Sequence, residues 1–272
     1  MTDLATLRSP DVPQWLRGAW RRELLETADG GKDLTTAVIW LQTRCLFADI
    51  RIPHDRPAFA GRRGVEDCSP DELVAATRAR GFAGWTTFSD GLCRWHRPID
   101  FHPPAEHEDA GRLDLKDGAL WEYGVHEAYK ERYARVGDGL NRTAAWVRTP
   151  DASSSRPGVL IVVDDFIIRA LGRDQPLPAG ANLGDLVREH AHDLPTLRKL
   201  FACELCLAST ETLRITHSTL PWREGDRLTS RGSFRAGSTV DDLFEAGPLN
   251  ETHWRRRGGG PSAAEMCQLL ND

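Results

Sequence analysis

Nowhere does this 272-residue chain carry an apolar run near the roughly 18 residues that a membrane-crossing helix requires. It also lacks a basic excess: 35 Lys and Arg stand against 40 Asp and Glu, giving a net charge of −5 and a pI near 6.0. Broad nucleic-acid surfaces are basic, so neither nucleic acid nor a membrane is an expected partner. The one dense basic run, Arg255-Arg256-Arg257, reads as a solvated strand end. The first residues have no basic-then-apolar signal profile, so the expected location is cytoplasmic. The 6 cysteines are scattered without framework spacing, which predicts thiols.

Familiar catalytic signatures are missing too. There is no G-x-S-x-G elbow, no phosphate-binding loop and no G-x-G-x-x-G after a strand, so neither an α/β-hydrolase nor a nucleotide-binding fold is expected. No cofactor is expected. Cys203-x-x-Cys206 has zinc-like spacing, but no second pair follows, and strand alternation would turn the two thiols to opposite faces. His190 and His192 would diverge on a helix, and His102 and His107 flank an acidic, Pro-rich loop. No metal site is assigned. Oligomeric state is left open.

What the chain has in quantity is short β-rich runs punctuated by turn dipeptides, together with 9 tryptophans. Strands are expected over 20–27, 35–43, 45–53, 82–88, 92–100, 111–115, 119–125 and 129–136. Asp29-Gly30-Gly31, Asp90-Gly91 and Asp117-Gly118 mark hairpins. Between them Ser69-Pro70-Asp71-Glu72 starts a helix by cap, first-turn proline and capping box, with Gly81 expected to end it. The pattern restarts after 140. Strands are expected over 144–148, 158–171 (broken at Asp164-Asp165), 201–209, 212–218, 227–234 and 252–257, with a helix over 182–192. A tail follows, with a short helix over 262–270. Tyr133-Ala-Arg135 and Trp254-Arg-Arg256 echo each other about 120 residues apart, as two related halves would.

The expected fold is mainly β: an antiparallel up-and-down barrel, two in tandem, with short helices. Residues 10–140 form the first barrel, 141–257 a second barrel or β-rich extension, and 258–272 a tail.

Gly18-Ala19-Trp20 at the head of the first strand resembles the G-x-W mark of the lipocalin and calycin barrels. There the Trp plugs the closed end and an Arg from a late strand packs across it, which implies Arg135 or Arg132 here. The runs WLQTRCLFADIRIP and WHRPIDFHPP, with the closing aromatic-Arg strand, are similar to a family of uncharacterised bacterial lipocalin-like proteins with a fungal relative built as two barrels. The resemblance covers most of 15–257 and implies a fold, not an activity.

The site reading rests on alternation. In the run 45–53, Phe47, Asp49 and Arg51 share one face, and Leu46, Ala48, Ile50 and Ile52 the other. Turned into a barrel, Asp49 can serve as a base and Arg51 can hold an oxyanion; turned outward they are an ordinary ion pair. Trp40 and Gln42 would add an aromatic wall and an amide. Trp95 leads a second extended run, in which His96 and Asp100 fall on one face roughly 13 Å apart. His96 titrates near neutrality and is the leading proton-transfer candidate. Glu122 and His126, with Tyr129 and Glu131 nearby, would add acidity. The catalytic expectation is thus Asp49, Arg51 and His96, with Trp40, Gln42, Phe47, Trp95, Asp100, Glu122 and His126 binding a small organic molecule. Three functions fit: a cofactor-free isomerase, cyclase or lyase; a carrier of a small apolar or amphipathic ligand; or an interaction protein whose barrels are filled by side chains.

Overall fold

The structure, a computed structural model, describes residues 11–140, 142–148 and 156–228, and the backbone of a strand at 254–257. Strand β1 (Gly18–Thr27) starts at a glycine with φ of 134°, where a Cβ would also lie 2.5 Å from the Gly137 carbonyl oxygen. Only glycine fits there. A two-residue β2 (Lys32–Asp33) extends the edge. Then come β3 (Ala37–Gln42), β4 (Leu46–Ile52), β5 (Arg80–Ser89), β6 (Leu92–Asp100), β7 (Asp109–Lys116), β8 (Ala119–Gly124) and β9 (Tyr129–Gly137) as an antiparallel meander. Strand β9 returns to β1, with Thr27 opposite Tyr129 and Trp20 opposite Arg135, and closes eight strands into a barrel. The Asp-Gly turns act through conformation. Asp90 and Gly91 have φ of 52° and 75°, and Asp117 and Gly118 have 51° and 75°, the left-handed pair a tight hairpin requires.

Helix α1 (Pro70–Ala76) begins as its sequence specifies: the Ser69 hydroxyl accepts from the Glu72 N–H, and the Glu72 carboxylate accepts from the Ser69 N–H. It stops before the expected Gly81 because Arg80 and Gly81 are drawn into β5.

A second antiparallel sheet follows: β10 (Thr143–Arg148), β11 (Gly158–Val163), β12 (Phe166–Leu171), β13 (Glu204–Ser209) and β14 (Ile215–Ser218), with β15 (Trp254–Arg257) on the free side of β10. Among the described residues no pairing closes this sheet. Two helices precede β13. Asn182 caps α2 (Leu183–Glu189), and Asp193 caps α3 (Leu194–Leu200) with Pro195 in its first turn. The strand expected to start at 201 therefore starts at Glu204, since Pro195 opens a new helix instead of merely ending the old one. Most of the strand expected over 227–234, and all of the helix expected over 262–270, lies outside the described residues.

The outward face of β4 decides how the halves meet. Leu46, Ala48, Ile50 and Ile52 pack with Ile161, Ile168 and Leu205 of the second sheet and with Leu73, Leu183 and Leu197 of the three helices in one apolar core. Both faces of β4 are buried, one by the second sheet and one by the barrel lumen. Among the described residues no helix is long and apolar enough to cross a membrane.

Candidate functional site in the barrel

One end of the barrel is plugged. The Trp20 indole lies fully buried, its N–H donating to the Leu16 carbonyl at 2.8 Å. The Arg135 guanidinium sits 4.1 Å from its ring centroid and donates to the Trp15 and Arg17 carbonyls. This is the cation-over-indole contact expected of Arg135 or Arg132; Arg135 makes it, and Arg132 instead pairs with Glu23 on the outer face.

Above the plug the lumen is aromatic. Trp40 meets Trp95 and Tyr133 edge-on, at 5.7 and 5.8 Å between centroids, and Phe47 packs on Phe82 at 6.1 Å. An eight-stranded barrel is just wide enough for its side chains to fill, and a cavity of only about 10 Å³ remains, room for one water. Its walls include Trp40, Phe47, Asp49, Arg51, Trp95 and Glu122. The Trp40 indole N–H is buried without a hydrogen-bond partner within the protein, so its acceptor must come from a water or a ligand.

Toward the open end lies a chain of charges. Arg51 Nε donates to Asp49 Oδ1 at 2.9 Å, and its Nη1 to Glu131 Oε1 at 3.2 Å. Arg22 Nη1 donates to the same Glu131 oxygen at 2.6 Å and also pairs with Asp33. The Tyr133 hydroxyl donates to Glu131 Oε2. Glu122, 4% exposed, accepts from the Tyr129 hydroxyl at 2.7 Å. Glycine at 111 makes room for it, since a Cβ there would press to 2.9 Å on Glu122 Cγ. At the rim, Arg97 pairs with Asp109 at 2.8 Å and lies 3.7 Å from the Phe82 centroid, with Arg51 at 5.3 Å from the same ring.

Burial splits the acids. It pushes the Glu122 carboxyl up to about 8, helped by the Glu131 charge. Glu131 is equally shielded from water, but Arg51 and Arg22 outweigh that and hold it below the usual range. Burial raises Asp49 against the pull of Arg51, and raises Asp100 to about 6.

Of the residues singled out from sequence, Trp40, Phe47, Asp49, Arg51, Trp95 and Glu122 converge on the cavity. Gln42 points inward but is committed near the plug: it donates to Thr43 and Leu46 carbonyls and accepts from Thr86. His126 sits in the exposed loop beyond β8, stacked on His107 at 5.4 Å. His96 and Asp100 do not share a face. Asp100 pairs across the sheet with inward-facing Phe82, whereas His96 pairs with outward-facing Trp85 and stacks on it at 4.8 Å. The reason is a β-bulge between those pairs, where Pro98 has no N–H to give and Gly84 admits the His96 carbonyl. His96 bonds Thr87 on the outer wall, and burial lowers its pKa. The expected same-face histidine and aspartate are thus corrected: the imidazole is turned away from Asp49.

Arg22, Tyr133, Arg97 and Asp109 complete the cluster without having been singled out. The first two had a signal: Arg22 lies two residues past Trp20, and Tyr133 two past Glu131.

No family model matches the chain, and no curated protein matches it. Among solved structures it is similar to that of an uncharacterised Saccharomyces cerevisiae protein, with 10% identity and a TM-score of 0.48 over 89% of this chain and 98% of the other.

Proposed function

We propose that the first barrel binds a small organic molecule at its open end and that the buried carboxyl cluster performs proton transfer on it, as a cofactor-free isomerase, cyclase or lyase. The observation that carries this reading is the Trp40 N–H left without an acceptor on the wall of a cavity shared with Asp49, Arg51 and Glu122. Stability does not account for such a lumen, because apolar side chains of similar volume commonly replace buried ion clusters at no loss. A neighbouring pair with ionisations pushed apart keeps an acid and a base together at neutral pH. Glu122 is then the proton-transfer group, held by Tyr129. Arg51 supplies positive charge to a developing oxyanion, and Trp40 a neutral hydrogen bond. His96, on the outer wall, has no part.

The Gly18-Ala19-Trp20 head with Arg135 across the indole supports a lipocalin-like, calycin reading of this barrel. The placement of β15 on β10, as β9 lies on β1, supports a second barrel-like half. One observation favours another function: a cavity of about 10 Å³ suits a barrel filled by its own side chains, serving as a scaffold. A substrate larger than water must shift Phe82 and the two guanidiniums stacked on it.

Native mass spectrometry of the protein incubated with a cellular small-molecule extract tests the proposal. Wild type and His96→Ala should capture the same adduct, and Asp49→Asn and Glu122→Gln should lose it or leave it chemically unchanged. Capture by all four proteins of the same adduct with the same chemical change, or capture by none, would remove the catalytic reading.

A further inference from the structure

Outside the barrel wall lies a larger cavity. A cleft of about 720 Å³ runs between the open rim of the barrel and the pair α1 and α2, with Asp33, Thr36, His54, Thr77, Arg80 and Asn182 among its walls. That volume is in the range that takes a small organic ligand. Its other arginines and its acids are paired. Arg78 pairs with Asp55 at 2.7 Å, Arg188 with Asp185 at 2.6 Å, and Asp33 with Arg22. The His102 Nε2 is hydrogen-bonded to the Ala79 carbonyl at 2.9 Å.

Arg80 is different. It has no hydrogen-bond or ion-pair partner among the described residues, and the acids whose charge it feels are Asp100 and Glu127. Asp100 is engaged by Arg97 at 3.5 Å and by the His102 N–H at 2.9 Å. Register sets Arg80 directly opposite Arg51 on neighbouring strands, where like charges are destabilising. Arg97 is the third cation of the group. Arg51 spends its charge on Asp49 and Glu131, and Arg97 on Asp109 and Asp100. One guanidinium is left facing a cleft, next to two others, with no anion assigned to it.

We infer that Arg80 holds the oxyanion of a small organic acid, a carboxylate or a phosphate ester, lying in the cleft with its other end at the barrel mouth. A guanidinium presents a planar fork that matches either group bidentately. This names the substrate class for the barrel and rests on the preceding reading only for the direction the molecule points. The anion contact stands on Arg80 alone.

Calorimetric titration with sodium benzoate, sodium acetate and inorganic phosphate, at constant ionic strength set with chloride, tests it. At least one probe should saturate a single site on the wild type. Arg80→Gln should weaken that binding about tenfold or more. Arg80→Lys should retain part of it, and Arg78→Gln should leave it unchanged. Preference for benzoate and acetate would identify a carboxylate, and preference for phosphate an ester. No saturable binding, undiminished binding by Arg80→Gln, or equal loss in Arg78→Gln would overturn the inference. Glu122→Gln separates the two proposals. If it abolishes capture of a neutral adduct while no anion binds, the barrel reading stands and the anion site falls. If anions bind through Arg80 but Glu122→Gln changes no capture, the reverse holds.

Discussion

Glu122→Gln should flatten the dependence of stability on pH. In the folded barrel the Glu122 carboxyl ionises at about 8, against 4.5 for an ordinary glutamate. Between those values the folded chain holds a proton the unfolded chain has released. The stabilisation from this group is complete below pH 4.5 and is lost as the pH rises through 8, at up to ~1.4 kcal/mol per pH unit. Over the whole window the ceiling is ~5 kcal/mol. Glu131 moves the opposite way, kept ionised by Arg51 and Arg22, and the two titrate as a pair, so ~2–3 kcal/mol is the expected loss. Glutamine keeps an acceptor for the Tyr129 hydroxyl but cannot ionise. Urea unfolding followed by tryptophan fluorescence from pH 5 to 9, at fixed ionic strength, reads the difference. Wild type should fall by that amount more than Glu122→Gln does. Glu122→Gln should keep only the shallower fall of Asp49 and Asp100, both also raised, ~1–2 kcal/mol. Parallel profiles for the two proteins would refute the claim that Glu122 is held protonated by burial.

Other perturbations probe the frame around the site. Glu204, driven down to about 2 by Arg169 and Arg223 despite burial, supports a second ion cluster. Glu204→Gln should lower the urea-unfolding free energy at pH 7 by ~3–5 kcal/mol, and the wild-type contribution should fade as the pH drops from 4.5 toward 2. Arg135→Ala removes the contact on Trp20 and two carbonyl bonds and should cost ~2 kcal/mol in the same assay. Gly84→Ala would set a Cβ 1.9 Å from the His96 carbonyl oxygen, and ~2–3 kcal/mol of lost stability is expected from a thermal melt. A melt matching wild type would mean the bulge is not tight.

Local chemistry was legible where one short run decides it. The Asp90-Gly91 and Asp117-Gly118 turns, the Ser69 capping box and the two faces of β4 each follow from neighbouring residues alone, and the G-x-W resemblance narrowed the cation over Trp20 to Arg135 or Arg132. The face of His96 was not legible, because a bulge belongs to two strands at once: Pro98 on one and Gly84 on the other must come into register before either matters. Helix α3 carried its signal in Asp193 and Pro195, but a proline after a helix reads equally as a stop. The fullness of the lumen depends on how eight strands close, and no single run states that. Alternation could set Asp49 on one face with Phe47 and Arg51, yet not which way that face turns or how little space would remain beside it.

The indole N–H of Trp40 offers the most direct measurement. Its cross-peak in a proton–nitrogen correlation spectrum can be assigned by its disappearance in Trp40→Phe and then followed as the molecule captured in the mass-spectrometric experiment is titrated in. If that N–H awaits a ligand acceptor, the peak should move downfield in proportion to occupancy. A peak that stays in place at full occupancy would put the bound molecule outside the barrel and contradict the account.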